Sequence, residues 1–333
     1  MQEGIRLITP DTTSPYFNLA AEEYLLQHTD EEIIMLWQNS NTIVVGRHQN
    51  TLAEINTEYV ESRDVKVVRR LTGGGAVFHD MGNLNFTFIR NRDEKDEEID
   101  FSGFLEPIID ALHKLGVPAE FSGRNDIVVE GRKISGNAMA YYRNRVLEHG
   151  TLLFSSVQEN IAAALKADPD KFSDKAVKSV RKRVANISDY IKEPMDISEF
   201  KRFLTECLAT AGANVWHKDF THEEKAVIEL LAQTKYSTWE WNFGNSPKYG
   251  FERKVKTQGG IIQSTVDVKD GRIEDVRFYG DFFGVESPDI LAEKLVGTAH
   301  EKNAIERVIS GTDLCRFFSK ATADDILYLL SPE

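Results

Sequence analysis

The chain has almost no cysteine: Cys207 and Cys315 are the only two in 333 residues. So few, so far apart, exclude a disulfide framework and a zinc site, and both read as buried or incidental thiols. No apolar run approaches the ~18 residues of a membrane helix. The start, MQEGIRLITPDTTSP, lacks the basic and apolar regions of a signal peptide. The expectation is a cytoplasmic chain with no membrane partner. Positive charge is scarce as well: 40 Lys and Arg stand against 53 Asp and Glu, a net charge of −13. Binding nucleic acid needs a basic face, so nucleic acid is not an expected partner. There is no GxxxxGK[ST] loop and no GxGxxG turn, so ATP, if used, binds without either. No internal repeat or low-complexity tract is visible.

What is present suits a soluble globular protein, with 41 % apolar and 28 % charged residues. The length predicts about two domains and an ample core. Leu19, Ala20, Tyr24 and Leu25 recur at helical spacing, with Asn18 as the expected N-cap. Residues 33–37 and 42–46 read as strands around the polar turn QNSN. Phe101, Phe104, Leu105, Ile108, Leu112 and Leu115 share one helical face. Segments 127–130 and 133–134 flank Gly131 as a short hairpin, and 146–154 is a further strand. Helices are expected at 157–166, 197–210 and 222–233, the last two with capping boxes Asp196…Glu199 and Thr221…Glu224.

After the linker GNSPKYG at 244–250 the pattern changes. Residues 261–268 and 273–279 alternate around Lys269-Asp270-Gly271, a hairpin with one wet face. Helices close the chain at 288–296, 301–309 and 323–330. The expected fold class is α+β. A large domain with a mixed or antiparallel sheet spans 1–245, and a small α+β domain spans 251–333.

Residues 69–80, RRLTGGGAVFHD, carry the most chemistry. Gly73, Gly74 and Gly75 cannot fill a core. They permit positive φ and let a ligand approach the backbone. Apolar strands flank them and two arginines precede them. This suits a loop that presents bare N–H groups while a guanidinium meets an anion, although a plain glycine turn fits the loop taken alone. Charge is also uneven. Residues 93–100, DEKDEEID, are acidic, and 171–183, KFSDKAVKSVRKR, are basic.

Two further segments, GRNDIVVEGRKISGNAMA at 123–140 and EHGTLLF at 148–154, follow in order. With NLAAEEYLL at 18–26, IVVGRHQN at 43–50 and KSVRKRVANI at 178–187, the chain resembles the lipoate–protein ligase family. The resemblance covers most of the chain up to about residue 250. It implies a catalytic domain of the biotin/lipoate ligase type. It also implies ATP-dependent activation of lipoate to lipoyl-adenylate and transfer to a lysine of a lipoyl domain. Expected acceptors are 2-oxoacid dehydrogenase acyltransferase subunits and the glycine-cleavage H protein. A monomer is expected.

By the same resemblance Lys133 is the central cation, between the lipoyl carboxyl and the α-phosphate. Arg70 would meet phosphate or carboxylate. Gly75, Ala76, Val77 and Phe78 would present backbone to adenine, and Lys178, Arg181 and Arg183 would close over the adenylate. Lipoate would lie against Trp37, Gly73, Gly74, His79, Ala138 and His149. The triphosphate implies Mg²⁺, which takes oxygen ligands, with Asp126 and Asn83 as candidates. Two alternatives stay open: an ATP-independent octanoyl or lipoyl transferase of the same fold, working through a cysteine thioester, and a non-catalytic lipoate binder. A biotin–protein ligase would need a GRGRxG-type motif, which is missing.

Overall fold

Eight strands form one mixed sheet, and their order brings distant sequence segments side by side. The computed structural model describes residues 4–92, 101–122, 125–165, 184–210, 214–244, 251–269 and 271–331. The acidic run, Lys178, Arg181, Arg183 and residues 245–250 lie outside the described residues. The strands, in chain order, are β1 (Ile5–Ile8), β2 (Glu32–Trp37), β3 (Thr42–Val45), β4 (Lys66–Arg69), β5 (Val77–His79), β6 (Asn83–Asn91) and β7 (Ala119–Ser122). They continue as β8 (Asp126–Val129), β9 (Arg132–Tyr142), β10 (Arg145–Leu153) and β11 (Val215–His217). The large sheet runs β11-β1-β2-β6-β10-β9-β8-β7, parallel at β11-β1-β2 and antiparallel elsewhere. A second sheet, β4-β3-β5, carries the glycine-rich segment between its two outer strands.

The QNSN turn therefore joins two sheets rather than the arms of a hairpin. Its flanking strands are both almost wholly buried, which the short apolar runs alone do not distinguish from a hairpin. The expected N-cap is also corrected. The first helix runs Pro15–His28, with Ser14 as cap and Pro15 opening its first turn, where a missing N–H costs nothing. Asn18 lies inside that helix, and its amide donates to Gln38 O (2.8 Å) and Asn39 Oδ1 (3.0 Å).

The helix Ser102–Lys114 buries Leu105, Ile108, Ala111 and Leu112 against the sheet. Each large side chain contributes about 1.5–3 kcal/mol by leaving water. Pro107 inside it has no N–H to offer Gly103 O, and Arg90 Nη1 donates to that carbonyl instead at 3.2 Å. Between β8 and β9, Glu130 (φ 51°) and Gly131 (φ 72°) both adopt the left-handed conformation that a two-residue hairpin turn demands. Both expected capping boxes form, and a third joins Thr322 and Asp325. No described helix is long and apolar enough to cross a membrane.

The C-terminal residues build a separate core. Strands β12 (Phe251–Thr257), β13 (Gly260–Lys269) and β14 (Arg272–Gly280) form an antiparallel sheet, with β12 not anticipated from the sequence. Ile262, Val266, Val276 and Phe278 pack against Leu291, Leu295, Ile305 and Ile326 of the closing helices. The segment after β14 touches the large unit. Phe282 stacks on His48, with ring centroids 5.0 Å apart, and Phe283 meets Phe101 edge-on at 5.8 Å.

Candidate active site

Strand register builds the floor of a cavity of about 140 Å³ beneath the glycine loop. One row crosses the sheet through Trp37 (β2), Asn85 (β6) and Thr151 (β10), which are directly paired. Thr151 Oγ1 then accepts from Gly136 N on β9 at 3.2 Å. The row two residues along is Met35, Thr87, His149 and Ala138. Side chains two apart on a strand share a face, so Trp37, His149 and Ala138 meet although more than 100 residues of chain separate the first from the last. Arg70 and Gly74–Val77 form the opposite wall, with Val44, Leu19 and His79.

A β-bulge places the ammonium. Opposite β8, Lys133 pairs with Val128 and Ser135 with Ile127, leaving Ile134 as the extra residue. Without it, Lys133 and Gly136 would face opposite sides of the sheet. With it, the lysine arches over Gly136, Ile134 fills the core, and Lys133 Nζ sits 2.8 Å from Asp126 Oδ1. A Cβ at 136 would stand 2.7 Å from Nζ and 2.8 Å from Cε. The lysine tip is flexible, so Gly136→Ala is expected to cost under ~1 kcal/mol of stability while displacing the ammonium. The expected readout is an unchanged melting temperature with at least tenfold lower turnover. Full activity in that variant would show that the position of Lys133 does not matter.

The glycine loop is held from beneath by Arg70, which is 5 % exposed. Its guanidinium donates to Val44 O, Gly73 O and Gly75 O at 3.2, 2.6 and 2.9 Å, and its Nε to Thr72 Oγ1 at 2.9 Å. Burial lowers its pKa to about 10, against a raising effect from Glu22, and it remains a cation at neutral pH. Gly74 has φ +89°, and a Cβ there would meet Arg70 Nη2 at 3.0 Å. The positive φ favours glycine, and the held guanidinium leaves little room for a side chain.

Thr72 starts a buried relay. Its Oγ1 lies 2.8 Å from His149 Nε2, and His149 Nδ1 lies 2.9 Å from Glu22 Oε1. Thr87 Oγ1 donates to the same carboxylate oxygen at 2.6 Å and accepts from Trp37 Nε1 at 2.8 Å. Every donor finds an acceptor if the imidazole proton sits on Nδ1. The relay links the cavity wall, Trp37, to the loop anchor, Arg70.

Trp37, Arg70, Gly74, Gly75, Ala76, Val77, His79, Lys133, Ala138 and His149 thus converge on one cavity. Gly73 does not line it and packs instead on Phe282, whose carbonyl would stand 2.4 Å from a Cβ at 73. Phe78 lies in the β3–β5 ladder opposite Ile43, its ring buried with Ile43 and Val67. Asn83 is fully buried, donates to Asn85 Oδ1 at 2.9 Å and does not line the cavity. Asp126 does not line the cavity either, and stands 2.8 Å from Lys133 Nζ, which does. Among the described residues no group of three His, Cys, Asp or Glu could by itself hold a metal. The residues that sequence reasoning missed are Glu22, Thr72, Asn85, Asn125, Asn137 and Thr151. They stand inside or beside the conspicuous motifs, but only register shows which of them face inward. Lys178, Arg181 and Arg183 fall outside the described residues. The described chain on either side of them forms bridges at Leu165 with Ile55 and at Val184 with Lys133.

Comparison with known proteins agrees with this geometry. Residues 14–209 match the family described as lipoyl protein ligase A/B catalytic domain, and 246–330 match the bacterial lipoate protein ligase C-terminus. The chain is 43 % identical over 320 residues to the lipoate-protein ligase LplJ of Bacillus subtilis, covering 95 % of this chain and 96 % of that protein. It is equally identical over 321 residues to lipoate–protein ligase 1 of Staphylococcus aureus, covering 96 % and 97 %. Among solved structures, P. falciparum LipL1 in complex with lipoate shares the fold, with TM-score 0.76 at 24 % identity over 93 % of this chain and 94 % of that one. A lipoate-protein ligase A bound with ATP superposes with TM-score 0.60 at 26 % identity, over 74 % of this chain and all of that one. With both halves of the chain matched and relatives of this identity spanning its length, the protein belongs to the lipoate–protein ligase family.

Proposed function

We propose that this chain joins lipoate and ATP into lipoyl-AMP and then passes the lipoyl group to a lysine of lipoyl domains. In the first step a lipoate carboxylate oxygen attacks the α-phosphorus and pyrophosphate leaves. In the second the acceptor amine attacks the acyl carbon, the C–N bond forms, and AMP and a proton leave. Two anions must meet in the first step, and positive charge in a site shielded from water offsets their repulsion. The observation that carries the reading is Lys133, set by the bulge at one end of a mostly apolar slot that ends at Trp37.

In this reading Lys133 lies between carboxylate and α-phosphate. Arg70 supports the loop and adds charge behind it. The exposed backbone of Gly75, Ala76 and Val77 receives the adenylate, while Phe78 anchors the strand that follows. Trp37, Gly74, His79, Ala138 and His149 enclose the acyl chain. Mg²⁺ is bound through one or two carboxylates and substrate phosphates. Asp126, a carboxylate beside the lysine, fits an ion carried in by the triphosphate. The buried amide of Asn83 does not offer such a donor. Lys178, Arg181 and Arg183 are assigned to the adenylate because the chain resumes at Val184 in a bridge with Lys133.

The proposal takes residues 1–245 as the catalytic domain, 251–333 as an accessory domain, and a cytoplasmic monomer as the working unit. Its acceptors are acyltransferase subunits of 2-oxoacid dehydrogenases and the glycine-cleavage H protein. An archaeal relative from Thermoplasma acidophilum, described as a bi-partite lipoate protein ligase with its E2 lipoyl domain, supports that class of acceptor; it is 27 % identical, with TM-score 0.63 over 75 % of this chain and 99 % of that one. A thioester transferase is disfavoured by placement. Cys207 lies on the helix Ile197–Ala209, Cys315 lies on the C-terminal unit, and neither lines the cavity. The test is exchange of labelled pyrophosphate into ATP without acceptor protein. Exchange that depends on lipoate is expected. Its absence from folded protein would favour the transferase or a non-catalytic binder.

A further inference from the structure

The end of the cavity remote from Lys133 is not wholly apolar. From β9 to β2 the slot crosses three strand spacings, about 14 Å in all. At that far end His79 is 3 % exposed, and its ring meets Trp37 edge-on at 6.2 Å. His79 lines the cavity, and its Nε2 is buried with no partner among the described residues.

The state of His79 follows from its neighbours. Gln38 O can only accept, so the Asn18 atom 2.8 Å away is its amide nitrogen. The same nitrogen donates to Asn39 Oδ1 at 3.0 Å, which turns Asn39 Nδ2 toward His79 Nδ1 at 3.2 Å. An amide nitrogen donates, so Nδ1 accepts and the ring proton is on Nε2. A second proton on Nδ1 would oppose the Asn39 amide. Burial, with Arg70 and His149 nearby, independently lowers the His79 pKa to about 3. The far end of the acyl slot therefore carries an oriented N–H donor with nothing among the described residues to receive it. Leaving such a donor unpaired under a ligand costs roughly 1–3 kcal/mol.

We propose that His79 Nε2–H, oriented by Asn18 and Asn39, is a specificity-determining donor for the distal end of the acyl substrate, taking a ring sulfur of a cyclic disulfide. The site then prefers a medium-chain acid ending in a soft acceptor to a saturated acid of the same chain length, which buries the donor unpaired. This rests on the ligase reading above and goes beyond it by stating how the enzyme tells lipoate from octanoate.

The experiment compares pyrophosphate exchange supported by lipoate and by octanoate, in the unaltered protein and in His79→Phe. Phenylalanine keeps an aromatic ring, one atom larger, and removes the donor. The ratio of kcat/KM for lipoate over octanoate is expected to fall about tenfold in the variant. Asn39→Leu, which frees the tautomer, is expected to lower the same ratio by a smaller factor. A second measurement needs no variant that must fold. In ¹⁵N-histidine-labelled unaltered protein, His79 is expected to show a protonated Nε2 whose resonance moves with saturating lipoate and stays in place with octanoate. A lipoate-to-octanoate ratio unchanged by His79→Phe, or equal shifts with both acids, would overturn the proposal and leave the ligase reading standing. If neither acid supports exchange in the unaltered protein, the ligase reading fails and the proposal with it.

Discussion

Replacing Lys133 with alanine is expected to leave the protein folded and to lower lipoate-dependent pyrophosphate exchange roughly 10²–10³-fold or more. Stability should change little because the side chain is 40 % exposed and its partner Asp126 is 33 % exposed, so water replaces the lost ion pair. The strand does not depend on the side chain either. Lys133 O still accepts from Ala185 N at 2.9 Å, and the bulge is filled by Ile134. The activity loss follows from charge. The carboxylate and the triphosphate approach in a site where Lys133 is the cation beside Asp126 and Arg70 has four of its five donors committed to Val44 O, Thr72 and the glycine loop. Methionine at 133 should fail as alanine does, since length without charge does not offset repulsion. Melting temperature and exchange rate measured on one preparation decide the matter. Near-normal exchange in a folded Lys133→Ala protein would end the assignment.

The second large effect is expected at a residue with no part in the chemistry. Glu22→Ala removes the common acceptor of Thr87 Oγ1 and His149 Nδ1 deep in the protein. Each orphaned donor costs about 1–3 kcal/mol, so a loss of roughly 2–5 kcal/mol is expected. That is a large share of the 5–15 kcal/mol that a domain commonly has. The functional consequence follows the relay. A His149 released from Glu22 no longer fixes Thr72, and Thr72 no longer orients the Nε of Arg70 beneath the glycine loop. The KM for lipoate should rise at least tenfold. Glu22→Gln keeps one acceptor and should show a smaller loss of both kinds. Denaturant unfolding combined with the lipoate KM tests the pair of effects. A Glu22→Ala protein as stable as the parent would show that the carboxylate is dispensable.

Much of the architecture was legible because local patterns were strong. The helices 102–114 and 197–209 announce themselves by apolar periodicity, and the starts at 197 and 222 by capping boxes. The hairpin at Gly131 follows from one glycine that must adopt positive φ. Errors arose where a residue type has two common uses. Asn18 is a good cap by composition, yet its amide is taken by Gln38 and Asn39, and the cap passes to Ser14. At Phe78 strand alternation turns the ring into the core, which leaves only its main chain for a ligand, and at Asn83 it buries the amide away from the cavity.

By itself the sequence determined the class of fold and the family, and it pointed to the lysine and the glycine loop. Those features depend on residue types at fixed short spacing. Only the tertiary structure decided how they meet. Pairing across β2, β6, β10 and β9 sets Trp37, Asn85, His149 and Ala138 on one face, and a single bulged residue turns Lys133 toward them. Glu22 reads in the sequence as one acid on a helix, and burial beside His149 makes it the centre of a relay. The physical reason is the same in each case. A shift of one residue in strand register reverses every side chain, and the pairing that fixes the register across this sheet joins strands far apart in the sequence.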